Sequence, residues 1–194
     1  MNSKSKAFLA LVLAIAIAAT GCSAQWINIA LQDLPVLTQM ALNIATLVSA
    51  LASGQQASTA DIAVIQNISA QASRDLNLLQ TLYSEYKANP SATTLQKIQN
   101  AIGDLNQNLP TLLQSAHISN PMLSARIAAA VNLILTTVNS FAALMLQSSA
   151  ATARKAPTHS LLHANDLKKQ WNQQVCSPSG NSALDAAFAA GILR

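Results

Sequence analysis

Residues 58–90 read STADIAVIQNISAQASRDLNLLQTLYSEYKANP, and this stretch decides the fold class. Ile62, Ile65, Ser69, Ala72, Leu76, Leu79, Tyr83 and Tyr86 step by three and four along its whole length. That is the period of one helix face, not the alternation of a strand. Ser58-Thr59 opens the segment with side chains suited to a helix cap, and Asp61 puts a negative charge in the first turn, where the backbone dipole is positive. Asn89-Pro90 closes it, because the residue before a proline avoids helical angles.

Downstream, Ser91 starts a second seam of Leu95, Ile98, Ile102, Leu105, Leu109 and Leu112. Pro110 falls inside it, where a kink or break is expected because proline lacks an N–H and crowds the preceding turn. Asn120-Pro121 gives a cap and first-turn signature for a further helix over about 121–149, with Leu123, Ile127, Ala130, Ile134, Val138, Phe141 and Met145 on its apolar face. Upstream, Leu37, Met40, Ile44, Leu47 and Leu51 form a matching stripe, widened by Leu34, Ala41 and Val48, while Gln39, Asn43, Thr46 and Ser53 fall mainly on the other side. Asp33 reads as the N-cap of that helix, with Pro35 in its first turn. Gly54 and the polar run after it end the helix.

Four such helices with short connections predict an all-α protein, an up-down-up-down four-helix bundle about 35–40 Å long at ~1.5 Å per residue, with a short helical C-terminal extension. In that extension Arg154-Lys155-Ala156-Pro157 reads as a linker, Thr158 to Val175 as an amphipathic helix with Leu161, Leu167 and Trp171, and Cys176-Ser-Pro-Ser-Gly-Asn as a loop. Ser182-Ala-Leu-Asp185 resembles a capping box that opens a short Ala-rich helix through Phe188 and Ile192. The sequence leaves open whether this tail packs across the bundle or is loosely tethered.

Composition narrows the function. Of 194 residues, 51% are hydrophobic and 9% charged, with 11 Lys and Arg against 7 Asp and Glu. So much apolar material with so little charge excludes disorder for most of the chain. A net charge of +4 without a basic cluster longer than two residues argues against a nucleic-acid partner. The polar share is carried by Asn, Gln, Ser and Thr, which hydrogen-bond but do not titrate in the useful range, so acid–base catalysis has few candidates.

At the N-terminus, Lys4 and Lys6 precede an unbroken apolar run from Ala7 to Ala19, and Ala19-Thr20-Gly21-Cys22 follows. The run rises about 20 Å as a helix, short of the ~30 Å hydrocarbon core, and so reads as a removable signal rather than an anchor. Its ending resembles the lipobox of bacterial prolipoproteins: an aliphatic residue, a small residue, Gly or Ala, then Cys. The resemblance implies that Cys22 is lipidated and becomes the new N-terminus after cleavage at Gly21–Cys22. The third position before the cysteine, commonly Leu in that class, is Ala19 here. Ser23 in place of Asp after the cysteine favours the outer membrane, facing the periplasm, in a Gram-negative cell. The expected organisation is therefore a signal peptide over 1–21, a tether or short helix over 22–33, the bundle over 34–149, and a linker with helical tail over 150–194. Losing the signal leaves nine basic against seven acidic residues, so the mature chain is nearly neutral.

If Cys22 is acylated, Cys176 is the only other cysteine and is expected as a free thiol or a point of intermolecular disulfide formation; otherwise the two could pair. Glu85 is the only Glu, so the paired Glu and Glu-x-x-His ligands of di-iron bundles are missing from the sequence. It holds no Gly-rich phosphate loop and no Gly-x-Ser-x-Gly. His159, His163 and Asp166 are spaced four and three, which on one helix face would bring together three ligand-type side chains, with Cys176 approaching through the next turn. Lys168 and Lys169 beside them would repel a cation, and a solvated helix face is the plainer reading. No cofactor is expected. His117, before Pro121, has no visible partner in the sequence.

The expectation is a non-enzymatic, lipid-anchored envelope protein, attached to the membrane through its N-terminal lipid and serving as a structural or interaction module for a protein partner or an apolar ligand. A membrane-inserting or pore-forming protein is the alternative. Residues 127–146 carry no charge, 34–53 are almost as apolar, and 20 such residues as a helix can cross a bilayer. Asn132, Thr136, Thr137, Asn139 and Ser140 weigh against it, since unpaired polar groups are costly in hydrocarbon.

Overall fold

The structure, a computed structural model, describes residues 26–48, 57–116, 118–149 and 163–194. Every regular element among them is helical. Residues 26–48 are helical throughout (α1), followed by α2 (Thr59–Ala88), α3 (Ala92–Ser115), α4 (Pro121–Ser149), α5 (Ala164–Gln174) and α6 (Ser182–Ala190).

Side chains that satisfy the orphan N–H groups of a first turn set most of these starts. At α2, the Asp61 N–H donates to Ser58 Oγ and the Ser58 N–H donates to Asp61 Oδ2, both at 3.1 Å, a reciprocal capping box. The second Asp61 oxygen accepts the Ser119 N–H at 3.1 Å, so the same carboxylate ties α2 to the α3–α4 connection. Ser91 Oγ accepts from Thr94 N–H at α3, and Asn120 Oδ1 accepts from the Met122 and Leu123 N–H groups at α4. At α6 the cap lies one residue earlier than expected. Asn181 Oδ1 accepts from Leu184 N–H, and Asp185 reaches back to the N–H groups of Ser179 and Gly180, where a φ of +83° suits glycine.

The predicted seams form one core. Ile65, Ser69, Ala72, Leu76, Leu79 and Tyr83 of α2, Ile98, Ile102, Leu105 and Leu109 of α3, and all seven expected positions of α4 are buried, with Ile62, Tyr86, Leu95 and Leu112 packed at the margin. Consecutive helices run antiparallel. Ser69 Oγ donates to Ala41 O at 2.6 Å while Trp26 lies against Tyr83, so numbering rises along α1 as it falls along α2. Glu85 accepts from Thr94 across α2 and α3, and Asn106 exchanges two amide hydrogen bonds with Asn139 across α3 and α4.

Three local expectations are corrected. α1 does not start at Asp33, because Trp26, Ile27 and Ala30 continue the buried face of Leu34 and Leu37 upstream. Pro35 sits within the helix on its exposed side. α3 runs unbroken through Pro110, with Leu105 and Leu109 buried before it and Leu112 and Leu113 packed against the core after it. Asn43, expected on the polar face, is 8% exposed because the C-terminal segment covers it.

α4 is the one described helix long and apolar enough to cross a membrane, with mean hydropathy 1.7 over its best window. Its polar groups are sorted to one side nonetheless. Asn132, Thr136 and Asn139 are exposed, and the buried Thr137 hydroxyl donates to Leu133 O at 2.8 Å.

Candidate functional site

The C-terminal segment is packed, not tethered. Leu167, Trp171 and Val175 of α5 and its end, and Leu184 and Phe188 of α6, are fully or nearly fully buried. Gly191 O gathers the clasp: Trp171 Nε1–H donates to it at 2.8 Å from α5 and Asn43 Nδ2–H at 3.1 Å from α1. Asn172 fixes Leu193 by two hydrogen bonds, one in each direction, and Lys168 Nζ donates to Arg194 O. On α4, Arg126 donates to Val175 O at 2.6 Å and to Ser177 Oγ at 3.0 Å, with its guanidinium 4.9 Å over the Phe188 ring. α1 and α5 therefore meet at Gly191, after α6, while α4 holds the turn between α5 and α6.

Cys176 lies at that turn. It is free and 7% exposed, and burial pushes its thiol up to about 11 despite the Trp171 indole and the nearby Arg126 charge. A buried thiol of that kind is a weak nucleophile. Cys176 also stands at the far end of α5 from His163 and Asp166, about 16 Å along the axis for 11 residues at ~1.5 Å each. It does not join them.

Of the expected three-ligand face, His163 and Asp166 fall among the described residues. His159 lies outside the described residues, as do Cys22, His117, residues 49–53 and the Arg154–Pro157 linker. α5 starts at Ala164 rather than Thr158 in the described chain, so His163 is its extended N-cap residue and exposed, and Asp166 is exposed in the first turn. Among the described residues no group of three or more His, Cys, Asp or Glu side chains is placed to hold an ion.

Two polar features of the core were not read from the sequence. Asp33, expected to cap its own helix, is buried inside α1 and accepts the backbone N–H of Ala164 at the start of α5. Desolvation pushes its carboxyl up to about 6, against the opposing pull of His163 and of that N–H. Only its place in an apolar stripe hinted at burial. At the start of α1, seven residues before Asp33, Trp26 meets Tyr83 edge to face at 5.5 Å and lies 6.3 Å from Tyr86, and Tyr83 meets Phe141 of α4 at 6.4 Å. Trp26 Nε1 and Tyr83 Oη are buried there without a hydrogen-bond partner, and burial raises the Tyr83 phenol.

The described residues line shallow surface grooves between helices. One, of about 210 Å³ between α3 and α4, is lined by Gln99, Ile102, Ala142 and Met145; another, of about 260 Å³ between α2 and α3, by Gln71, Asn108, Thr111 and Leu112. Both fall below the ~300–1,000 Å³ of most small-molecule sites. Compared with known protein families, curated proteins and solved structures, the chain matches none.

Proposed function

We propose that this chain is a lipid-anchored bacterial envelope protein whose mature part is a four-helix bundle with a docked helical extension, working as a structural or interaction module rather than as an enzyme. The observation that carries the reading is Ala19-Thr20-Gly21-Cys22 at the end of a 13-residue apolar run behind Lys4 and Lys6. Cys22 is the acylated residue, and two or three acyl chains hold a protein to a bilayer far more firmly than the marginal grip of one myristoyl group. The antiparallel order of α1 to α4 and their shared core support the bundle.

The membrane-inserting alternative is favoured by the length and hydropathy of α4. The sorting of that helix into a buried apolar face and an exposed amide and hydroxyl face supports the bundle instead, because a core helix of a water-soluble domain has that pattern. The uncharged amide and hydroxyl surface fits contact with a neutral partner better than with a polyanion.

The test is processing. Cys22→Ala leaves the precursor uncleaved at Gly21 and abolishes incorporation of labelled fatty acid. Equal labelling of wild type and variant overturns the anchoring. Residues 23–194, expressed without the lipidated cysteine, are expected in the detergent-free supernatant as a helical, monodisperse protein, and recovery only in detergent supports insertion.

A further inference from the structure

α5 begins without a cap of its own. His163, at the N-cap position, makes no side-chain hydrogen bond to the first turn, and the N–H of Ala164 is taken instead by Asp33 of α1. The donor–acceptor balance at Asp33 is incomplete: the residue is 1% exposed, and its Oδ2 has no hydrogen-bond partner.

Among the described residues, the other charged groups of the helices α4 to α6 are engaged or exposed. Residues 26–48 contain no second charged side chain. On α5, His163 is the group whose charge reaches Asp33, while Asp166 and Lys169 are exposed and Lys168 donates to Arg194 O. Arg126 of α4 is held by Val175 O and Ser177 Oγ, and Asp185 of α6 by the Ser179 and Gly180 N–H groups.

We propose that Asp33 is a proton-operated latch that holds the C-terminal segment, residues 163–194, on the rest of the protein. Protonated, the carboxyl lies neutral beneath α5 and the segment stays docked. Ionised, it is a buried charge with one oxygen unsatisfied, and water reaches it when α5 lifts away. α1 stays in place, because Leu34, Leu37, Met40 and Ile44 anchor it in the core on their own. α5, with only Leu167 and Trp171 of its 11 residues buried, is the more weakly held of the two.

The proton balance sets direction and range. In the docked form burial pushes the carboxyl up to about 6, against an ordinary value of 3.8. Docking is therefore tightest below about pH 4 and weakens as the pH rises to about 6, by as much as a hundredfold for a separation of about two pH units. His163 moderates the change when it carries a proton. Asp33 is a positioning residue, and its signature is a pH profile.

Cys176 reports the latch, since it is buried at the end of α5 beside Trp171 and Gly191. The full-length chain is labelled with a pyridyl disulfide, which reacts with thiols in acid as well as at neutral pH. Modification of the Cys176 peptide is followed by mass, and the same chain in denaturant corrects for the thiol's own reactivity at each pH. The expected result is that Cys176 protection falls about tenfold between pH 5 and pH 7.5, while the amides of α2 and α3 stay protected from hydrogen exchange. Asp33→Asn, neutral at every pH, is expected to hold its protection flat. Protection independent of pH in the wild type overturns the latch, whether or not the variant folds. So does loss of Cys176 protection together with that of α2 and α3, or an equal pH dependence in Asp33→Asn.

Discussion

Ile134 and Asn132 sit two residues apart on α4, about 200° around the helix, and replacing each in turn separates a core helix from a membrane-spanning one. Ile134 is fully buried, so Ile134→Ala removes three carbons from a packed site and leaves a cavity that its neighbours Val131, Val138 and Ile127 close only in part. Substitutions of this kind cost about 2–5 kcal/mol, against the ~5–15 kcal/mol that holds a typical domain together. For a domain of this size each kcal/mol lowers Tm by roughly 2–4 °C, so a fall of about 6–12 °C is expected for a loss near 3 kcal/mol. Asn132 is exposed, and Asn132→Asp places a charge in water at a cost within about 0.5 kcal/mol. In a bilayer the same charge near the centre of a helix would cost about 2.5–3.5 kcal/mol. Thermal melts of residues 23–194 followed by far-UV circular dichroism give both numbers from one preparation. If Asn132→Asp proves the more damaging, α4 is not packed as described and the bundle reading fails with it.

Asp61 closes the α2 capping box and holds the Ser119 N–H; desolvation raises its carboxyl, but the Ser58 and Ser119 hydrogen bonds outweigh it and leave the group below its usual value. Its stabilising contribution is thus present above the unfolded value of 3.8 and disappears as the pH falls through the lower folded one; Asp61→Ala is expected to cost about 1–3 kcal/mol in denaturant melts at pH 7 and to remove that acid sensitivity, and a neutral effect at pH 7 refutes the assigned role. With the C-terminal segment docked, Cys176 is too deeply covered for the intermolecular disulfide that the sequence left open, so a non-reducing gel of native protein kept at about pH 5 is expected to show monomer; a dimer that disappears on reduction would contradict its burial.

Periodicity and punctuation made the helices legible before any coordinates. The three-and-four stepping of α2, α3 and α4 identified their buried faces almost residue by residue, because a helix has one period and each seam had one core to face. The starts at Ser58, Ser91 and Asn120 were equally legible, since capping is a local transaction between a side chain and the next turn. Where a local signal met a competing tertiary one, the tertiary one prevailed. Pro35 and Pro110 both looked like boundaries, yet Leu34 and Leu37 flank Pro35 in the core, and Leu109 before Pro110 is buried while Leu112 and Leu113 after it pack against the core.

The sequence by itself determined the helical class, the apolar seams and the signal-like N-terminus, for each rests on residues within one or two turns of one another. Only the tertiary structure decided which helix each polar group serves. Asp33 has the chemistry of a cap, and a cap it is, but for the first N–H of α5, which lies 131 positions further along the chain. Asn43 looks solvated on a helical wheel and is instead buried against Gly191, 148 residues away, with Trp171 sharing the same carbonyl. Neither partnership has a period or a spacing to betray it. A hydrogen bond between distant segments depends on where packing brings them, and the packing of the C-terminal segment over α1 is a property of the assembled core.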